Sequence, residues 1–205
     1  MSGPLIRLLL ADDQALVRGA LAALLDLEPD LSVVAEVATG DQVLAAAQAH
    51  HPDVALIDVE MPGMDGIETT RALKQDRPET RVLIVTTFGR PGYLRRALQA
   101  GADGFVVKDT PARQLADAVR RVHAGLRVVD ADLAADSLVA GDSPLTARES
   151  EVLRAGRDGA SVAAIAGRLY LSEGTVRNHL SSAIGKTGSA NRAEAIRVAD
   201  RNGWL

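Results

Sequence analysis

Over its first 125 residues the chain alternates short aliphatic runs with segments of helical period, five times in strict order. The runs are Ile6–Ala11, Val33–Val37, Val54–Ile57, Val82–Val85 and Gly104–Val107. Following them in turn come Gln14–Leu27, Asp41–His50, Asp65–Asp76, Pro91–Ala100 and Pro111–Ala124, each with apolar residues three and four apart. Five alternating strand–helix units predict a parallel sheet covered by helices on both faces, a doubly wound α/β fold. The near-continuous apolar runs agree, because a strand buried on both faces has no polar side to show. Proline stands near the first turn of the fourth and fifth helices, and Gly101 and Gly125 sit just past their ends, as helix starts and stops require. Right-handed crossovers then restrict the strand order to a flavodoxin-like 2-1-3-4-5 or a Rossmann half. No Gly-x-Gly-x-x-Gly follows the first run, which counts against a dinucleotide site.

From Leu126 to Asp142 the alternation dissolves into Val, Ala, Asp and Ser, which reads as a linker with a short helical piece at Ala131–Val139. Beyond it the period is helical only. Thr146 and Glu149 form a capping box that opens Ala147–Arg157; Ser161 and Ser172 cap Val162–Leu169 and Glu173–Gly185, and a fourth helix spans Arg192–Arg201. The short Leu169–Ser172 break makes this a helix-turn-helix candidate. The expected organisation is an α/β domain at 1–125, a linker at 126–142 and a small all-α domain at 143–205.

Charge separates the same regions. Residues 1–125 hold 13 Lys/Arg against 17 Asp/Glu, 126–142 hold 1 against 4, and 143–205 hold 9 against 6. An acidic front and a basic tail suggest different partners, the tail facing a polyanion. Aromatic residues make up only 2%, so the core is aliphatic. The absence of cysteine excludes disulfides, zinc ribbons, iron–sulfur clusters and a cysteine nucleophile. The apolar run Leu5–Ala11 is broken by Arg7 and stopped by Asp12, too short for a signal or a bilayer span, so a soluble, cytoplasmic protein is expected.

In a 2-1-3-4-5 sheet the ligand crevice lies at the carboxyl ends of strands 1 and 3, where the winding reverses. Asp12 and Asp13 end strand 1 and Asp58 ends strand 3, so topology gathers three carboxylates in one pocket. Their mutual repulsion calls for a cation, and an all-oxygen ligand set suits Mg²⁺ or Mn²⁺. Thr86 at the end of strand 4 adds a hydroxyl, and Lys108 at the end of strand 5 an ammonium. Carboxylate nucleophile, divalent ion, hydroxyl and ammonium are what phosphoryl transfer to Asp58 requires.

These residues carry a family resemblance. Asp12-Asp13, the stretch Ile57 to Gly66, Val85-Thr86-Thr87 and Gly101 to Lys108 resemble the receiver domain of bacterial two-component response regulators. The resemblance implies that Asp58 is the phosphoryl acceptor, that Asp12, Asp13, Asp58 and the Glu60 carbonyl bind the metal, that Thr86 and Phe105 are a switch pair, and that Lys108 contacts the phosphate. Asp109 stands where the family more usually has proline, the residue with which the family forms a cis peptide in that turn. Glu60 and Phe88 flank the pocket at positions where the family varies, and are expected to tune hydrolysis of the acyl phosphate.

On a wheel of the third C-terminal helix, Val176, Leu180, Ala183 and Ile184 form an apolar stripe, while Gly174, Arg177, Asn178, Ser181 and Ser182 face away from it. A small, polar face with one Arg suits entry into a DNA major groove. Lys186, Arg192, Arg197 and Arg201 add charge for phosphates. Leu145 to Leu153 and Leu171 to His179 resemble the LuxR-type DNA-binding domain, so the whole chain is similar to the NarL/FixJ family of regulators. Thr86 to Tyr93, Gly174 to Asn178 and the Asn202-Gly203-Trp204 ending most resemble its DesR branch. The resemblance implies DNA contacts from Thr175, Arg177, Asn178, Ser181, Ser182 and Lys186, a membrane-associated sensor histidine kinase as phosphoryl donor, and a homodimer formed on phosphorylation through the first and fifth receiver helices. Ala164, Ser181 and Thr187 depart from residues usual in the family, and Gly185 weakens the end of the recognition helix, so dimerisation gains weight in DNA affinity. Two rivals remain: an aspartyl-phosphate phosphatase, which would carry Asp-x-Asp after the first strand, and a DNA-binding regulator whose receiver answers to a partner instead of phosphorylation. No enzyme activity is expected.

Overall fold

In the computed structural model, residues 5–87, 91–130, 133–135 and 143–205 are described. They fall into two compact units, one built on a sheet and holding the described residues of 1–89 and 94–134, the other those of 90–93 and 135–205.

The first unit contains β1 (Ile6–Ala11), β2 (Leu31–Val37), β3 (Val54–Ile57), β4 (Arg81–Thr86), β5 (Gly104–Val107) and β6 (Val128–Val129), all parallel, in the order β2-β1-β3-β4-β5-β6. Between them run α1 (Ala15–Leu25), α2 (Gly40–His50), α3 (Gly66–Asp76), α4 (Pro91–Gln99) and α5 (Ala112–His123). The flavodoxin-like order holds and the Rossmann half is dismissed, but the sheet has six strands, not five. The sixth lies inside the segment read as linker. Two residues are too few to show a period, and Val128 and Val129 become a strand only by pairing with Gly104 and Phe105 of β5. Of the helical piece expected at Ala131–Val139, residues 133–135 are described and helical; the rest lies outside the described residues, as does Phe88.

The strands are covered on both sides. Leu8, Leu10, Leu56, Leu83 and Val85 pack with Ala22 and Leu25 of α1 and with Leu115, Val119 and Val122 of α5. The alternate residues Leu9, Ile57 and Ile84 are equally buried. At the far end of the sheet from the crevice, Arg120 of α5 reaches Glu28 and Asp30 in the loop before β2. Its hydrogen bond holds the Asp30 carboxyl below the usual range.

Register positions the crevice. Ala11 pairs with Ile57 and Thr86 with Val107, so Asp12, Asp58 and Lys108 each leave the sheet one residue past a paired position. The ladders continue through them: the Asp58 N–H donates to the Ala11 carbonyl at 2.8 Å, and the Lys108 N–H to the Thr86 carbonyl at 2.8 Å. A Cβ on Gly66 would lie 1.9 Å from the Asp58 carbonyl oxygen, so only glycine lets α3 start this close to the acceptor loop. Asp65 caps that helix by accepting from Ile67 and Glu68 N–H. The Lys108–Asp109 peptide is trans, as are all described peptide bonds.

The second unit holds α6 (Ala147–Ala155), α7 (Val162–Leu169), α8 (Glu173–Lys186) and α9 (Arg192–Arg201) around Val152, Leu153, Ile165, Val176, Leu180, Ala183, Ala195 and Ala199. The expected caps form: Thr146 and Glu149 make a complete capping box, and Ser161 and Ser172 accept from Ala164 and Thr175 N–H. Helix α6 stops two residues before the expected Arg157, at the Gly156 cap, and α8 passes through Gly185. Among the described residues no helix is long and apolar enough to cross a membrane.

Candidate functional site

Asp12 and Asp58 are buried, at 4% and 3% exposure, while Asp13 is exposed. One carboxylate oxygen from each lies within 4.8 Å of the others, the three-carboxylate pocket expected from topology. Lys108 bridges two of them, its ammonium 2.7 Å from Asp12 Oδ2 and 2.8 Å from Asp58 Oδ2. The Asp12 side chain is oriented by the Gln14 N–H, which donates to Oδ1 at 2.9 Å. Arg18 of α1 fixes the same residue from behind, donating to its backbone carbonyl at 2.5 Å.

Burial pushes the Asp58 carboxyl above its ordinary value, despite the opposing pull of Lys108; the Asp12 charge adds to the rise, and the Glu60 backbone N–H opposes it. Burial works against the Lys108 charge as well, but the hydrogen bonds to Asp12 and Asp58 outweigh it and hold the ammonium above its usual range. Asp58 Oδ1 is buried without a hydrogen-bond partner. An unsatisfied carboxylate oxygen beside two further carboxylates is a fit for a hard divalent cation with oxygen ligands, which one ammonium cannot complete. The pocket is therefore a group able to hold a metal ion. The Glu60 side chain is exposed.

Thr86 and Phe105 are both fully buried, on the adjacent strands β4 and β5. Phe105 is paired in register with Ile84, two residues before Thr86. The hydroxyl, the ammonium and the carboxylates thus come from four strand ends or their next residues, placed there by register, whereas the Phe105 ring comes from the second position of β5.

In the second unit, Arg177, Asn178 and Ser181 of α8 are exposed on the side away from buried Val176, Leu180 and Ala183. Arg177 pairs with Glu173 one turn earlier at 2.6 Å. Thr175 lies within the N-cap, its hydroxyl 2.8 Å from Ser172 Oγ. Ser182 and Lys186 are also exposed, but both bond the buried carboxylate of Glu149, at 2.6 and 2.7 Å. Sequence reasoning marks Glu149 only as a capping partner and gives Arg18 no role. Each acts on a residue far along the chain or across a loop, and no local spacing signals that.

Comparison with known proteins fits both units. A model of the response regulator receiver domain matches residues 8–120, and one of bacterial regulatory proteins of the luxR family matches residues 143–199. The uncharacterised transcriptional regulatory protein YvfU of Bacillus subtilis (strain 168) is 41% identical over 201 residues, covering 98% of this chain and 100% of its own length. The transcriptional regulatory protein DesR of the same organism is 40% identical over the same span and coverage. Among solved structures, the response regulator ChrA of a heme-sensing two-component system is 35% identical, with a TM-score of 0.59 over 99% of this chain and 100% of that one. The RcsB–DNA complex, at 24% identity and a TM-score of 0.67, covers 96% of this chain and 98% of that one and shares the fold.

Proposed function

This chain belongs to the response regulators that join a receiver to a LuxR-type DNA-binding domain, and from that premise we propose that Asp58 is its phosphoryl acceptor and that phosphorylation controls self-pairing and operator binding. The family is one of transcriptional regulators of two-component systems, not of enzymes. The observation that carries the reading is the bridge from Lys108 to Asp12 and Asp58, beside the one unpartnered oxygen of Asp58.

In the step proposed, Asp58 attacks the phosphorus of a phosphohistidine on a sensor kinase. An O–P bond forms, the N–P bond breaks, and the leaving imidazole takes a proton. Asp12, Asp13, Asp58 and the Glu60 carbonyl would hold Mg²⁺, which when bound would supply charge neutralisation for the phosphoryl oxygens. Lys108 keeps Asp12 and transfers its Asp58 bond to a phosphoryl oxygen, and Thr86 turns its hydroxyl to another. The inward movement of Thr86 changes the space beside the Phe105 ring, which makes the two a switch pair.

The pairing surface is proposed on α1 and α5. Leu16 of α1 is 86% exposed, an apolar side chain with nothing of its own unit over it. Two α8 helices held by a two-fold pair fit a two-fold operator. Arg177, Asn178 and Ser181 are proposed as the DNA-facing residues of α8. The donor is proposed to be a membrane-associated sensor kinase, with the regulator itself in the cytoplasm, where the chromosome is. Gel-shift and light-scattering measurements with and without acetyl phosphate test this: wild type is expected to dimerise and shift DNA on treatment, and Asp58→Ala to do neither.

A further inference from the structure

We propose that Glu149 is a positioning residue for DNA recognition, and that Lys186 and Ser182 act through it and not on DNA. The proposal deepens the DNA-binding reading above and rests on it. Glu149 is 4% exposed, yet its carboxylate is fully engaged. Oε2 accepts from the Thr146 N–H and the Lys186 ammonium, each at 2.7 Å, and Oε1 from the Ser182 hydroxyl at 2.6 Å. Thr146 is the N-cap of α6, and Ser182 and Lys186 lie one turn apart at the end of α8. A single side chain therefore ties the start of one helix to the end of the recognition helix.

The helical wheel supports the division. With Val176 at 0°, Ser182, Thr175 and Lys186 fall at about 240°, 260° and 280°, a flank bordering the buried stripe. All three are bonded within the protein, to Glu149 or Ser172. Arg177, Ser181, Gly174 and Asn178 fall at about 100° to 200°, centred opposite the stripe. The surface that reads DNA narrows to that second arc.

Energetics oppose release of Lys186. Reaching for a phosphate would leave the buried Glu149 carboxylate without its cation. The cation therefore stays. Its contribution is to hold α8 at a fixed angle on α6, so that Arg177, Asn178 and Ser181 meet base edges together.

The test uses the full chain, treated with acetyl phosphate, and a duplex that the wild-type protein enriches from a randomised library. Lys186→Met is expected to weaken binding about ten-fold, while the slope of log K against log salt keeps its wild-type value. Were Lys186 bonded directly to a phosphate, removing it would lower that slope by about 0.9. Glu149→Gln, which can still close the capping box, is expected to weaken binding by a similar factor. The double variant is expected to lose no more than the worse single one. A slope reduced in Lys186→Met, or losses that multiply to about a hundred-fold in the double variant, would overturn the proposal. Thermal unfolding of the same variants, followed at Trp204, reads the Glu149–Lys186 coupling without DNA: non-additive shifts support the clamp and additive ones overturn it. Failure of the DNA-binding reading itself would show separately, as no duplex enriched by the wild-type chain.

Discussion

Lys108 and Asp58 form a 2.8 Å ion pair in which both partners are shielded from water, the ammonium side chain at 10% exposure and the carboxylate at 3%. The pair is not a simple staple. Burial wins over attraction for Asp58, whose carboxyl is held above its ordinary value of 3.8. A group more easily protonated in the folded chain than in the unfolded one adds stability below that ordinary value and loses it as the pH rises through the raised one. At neutral pH the ionised acceptor therefore works against the fold, a local cost kept for chemistry. Asp58→Asn is expected to raise the melting temperature at neutral pH, with the gain shrinking on acidification. Calorimetry of both proteins across a pH series checks it.

Asp13 differs from its neighbours by being exposed. Asp13→Asn is expected to leave stability within about 0.5 kcal/mol of wild type. Because Ca²⁺ and Mg²⁺ affinity follows the count of charged oxygen ligands, Mg²⁺ binding is expected to weaken roughly ten-fold. Isothermal titration with Mg²⁺, beside a thermal melt, measures both.

Arg177 lies at the centre of the proposed readout, paired in the free protein with an exposed Glu173. A surface pair of this kind is weak and readily exchanged for a guanine edge. Arg177→Ala is expected to cost about 1–3 kcal/mol against the selected duplex and to relax preference at one base pair per half-site. Binding measured against duplexes altered one position at a time distinguishes this from a phosphate contact, whose removal would weaken all sequences alike.

Glu149 gives the second unit an acid limit. Burial opposes its charge, but the Lys186, Ser182 and Thr146 bonds prevail and hold its carboxyl down to about 2, against an ordinary 4.5. Stability from this group is complete above the ordinary value and is lost as the pH falls through the lowered one. The unit is expected to lose stability between about pH 4.5 and pH 2, and Glu149→Gln to flatten that fall. Trp204, the one tryptophan of the chain, packs against the core of this unit and reports its unfolding by fluorescence.

The sequence makes the site legible because parallel register does most of the assembly. Once five apolar runs are taken as strands in 2-1-3-4-5 order, Asp12, Asp58 and Lys108 can only meet, and they do, with Thr86 at the adjacent strand end. Capping chemistry is equally readable, since Thr146, Ser161 and Ser172 bond donors three residues on. Tertiary pairings are not. The sixth strand is two residues long and exists only against β5. Ser182 falls on the groove-facing side of the wheel and Lys186 among the cations for phosphates, but both bond a buried carboxylate 33 and 37 residues away, respectively. Arg18 likewise serves an Asp12 carbonyl that no spacing rule marks.

Peptide mass spectrometry of the full chain after incubation with acetyl phosphate and Mg²⁺ tests the phosphoryl-acceptor assignment most directly. One phosphoryl group is expected on the peptide containing Asp58, and none on the corresponding peptide of Asp58→Ala. An unmodified Asp58 peptide, or the group found on a different residue, would contradict it.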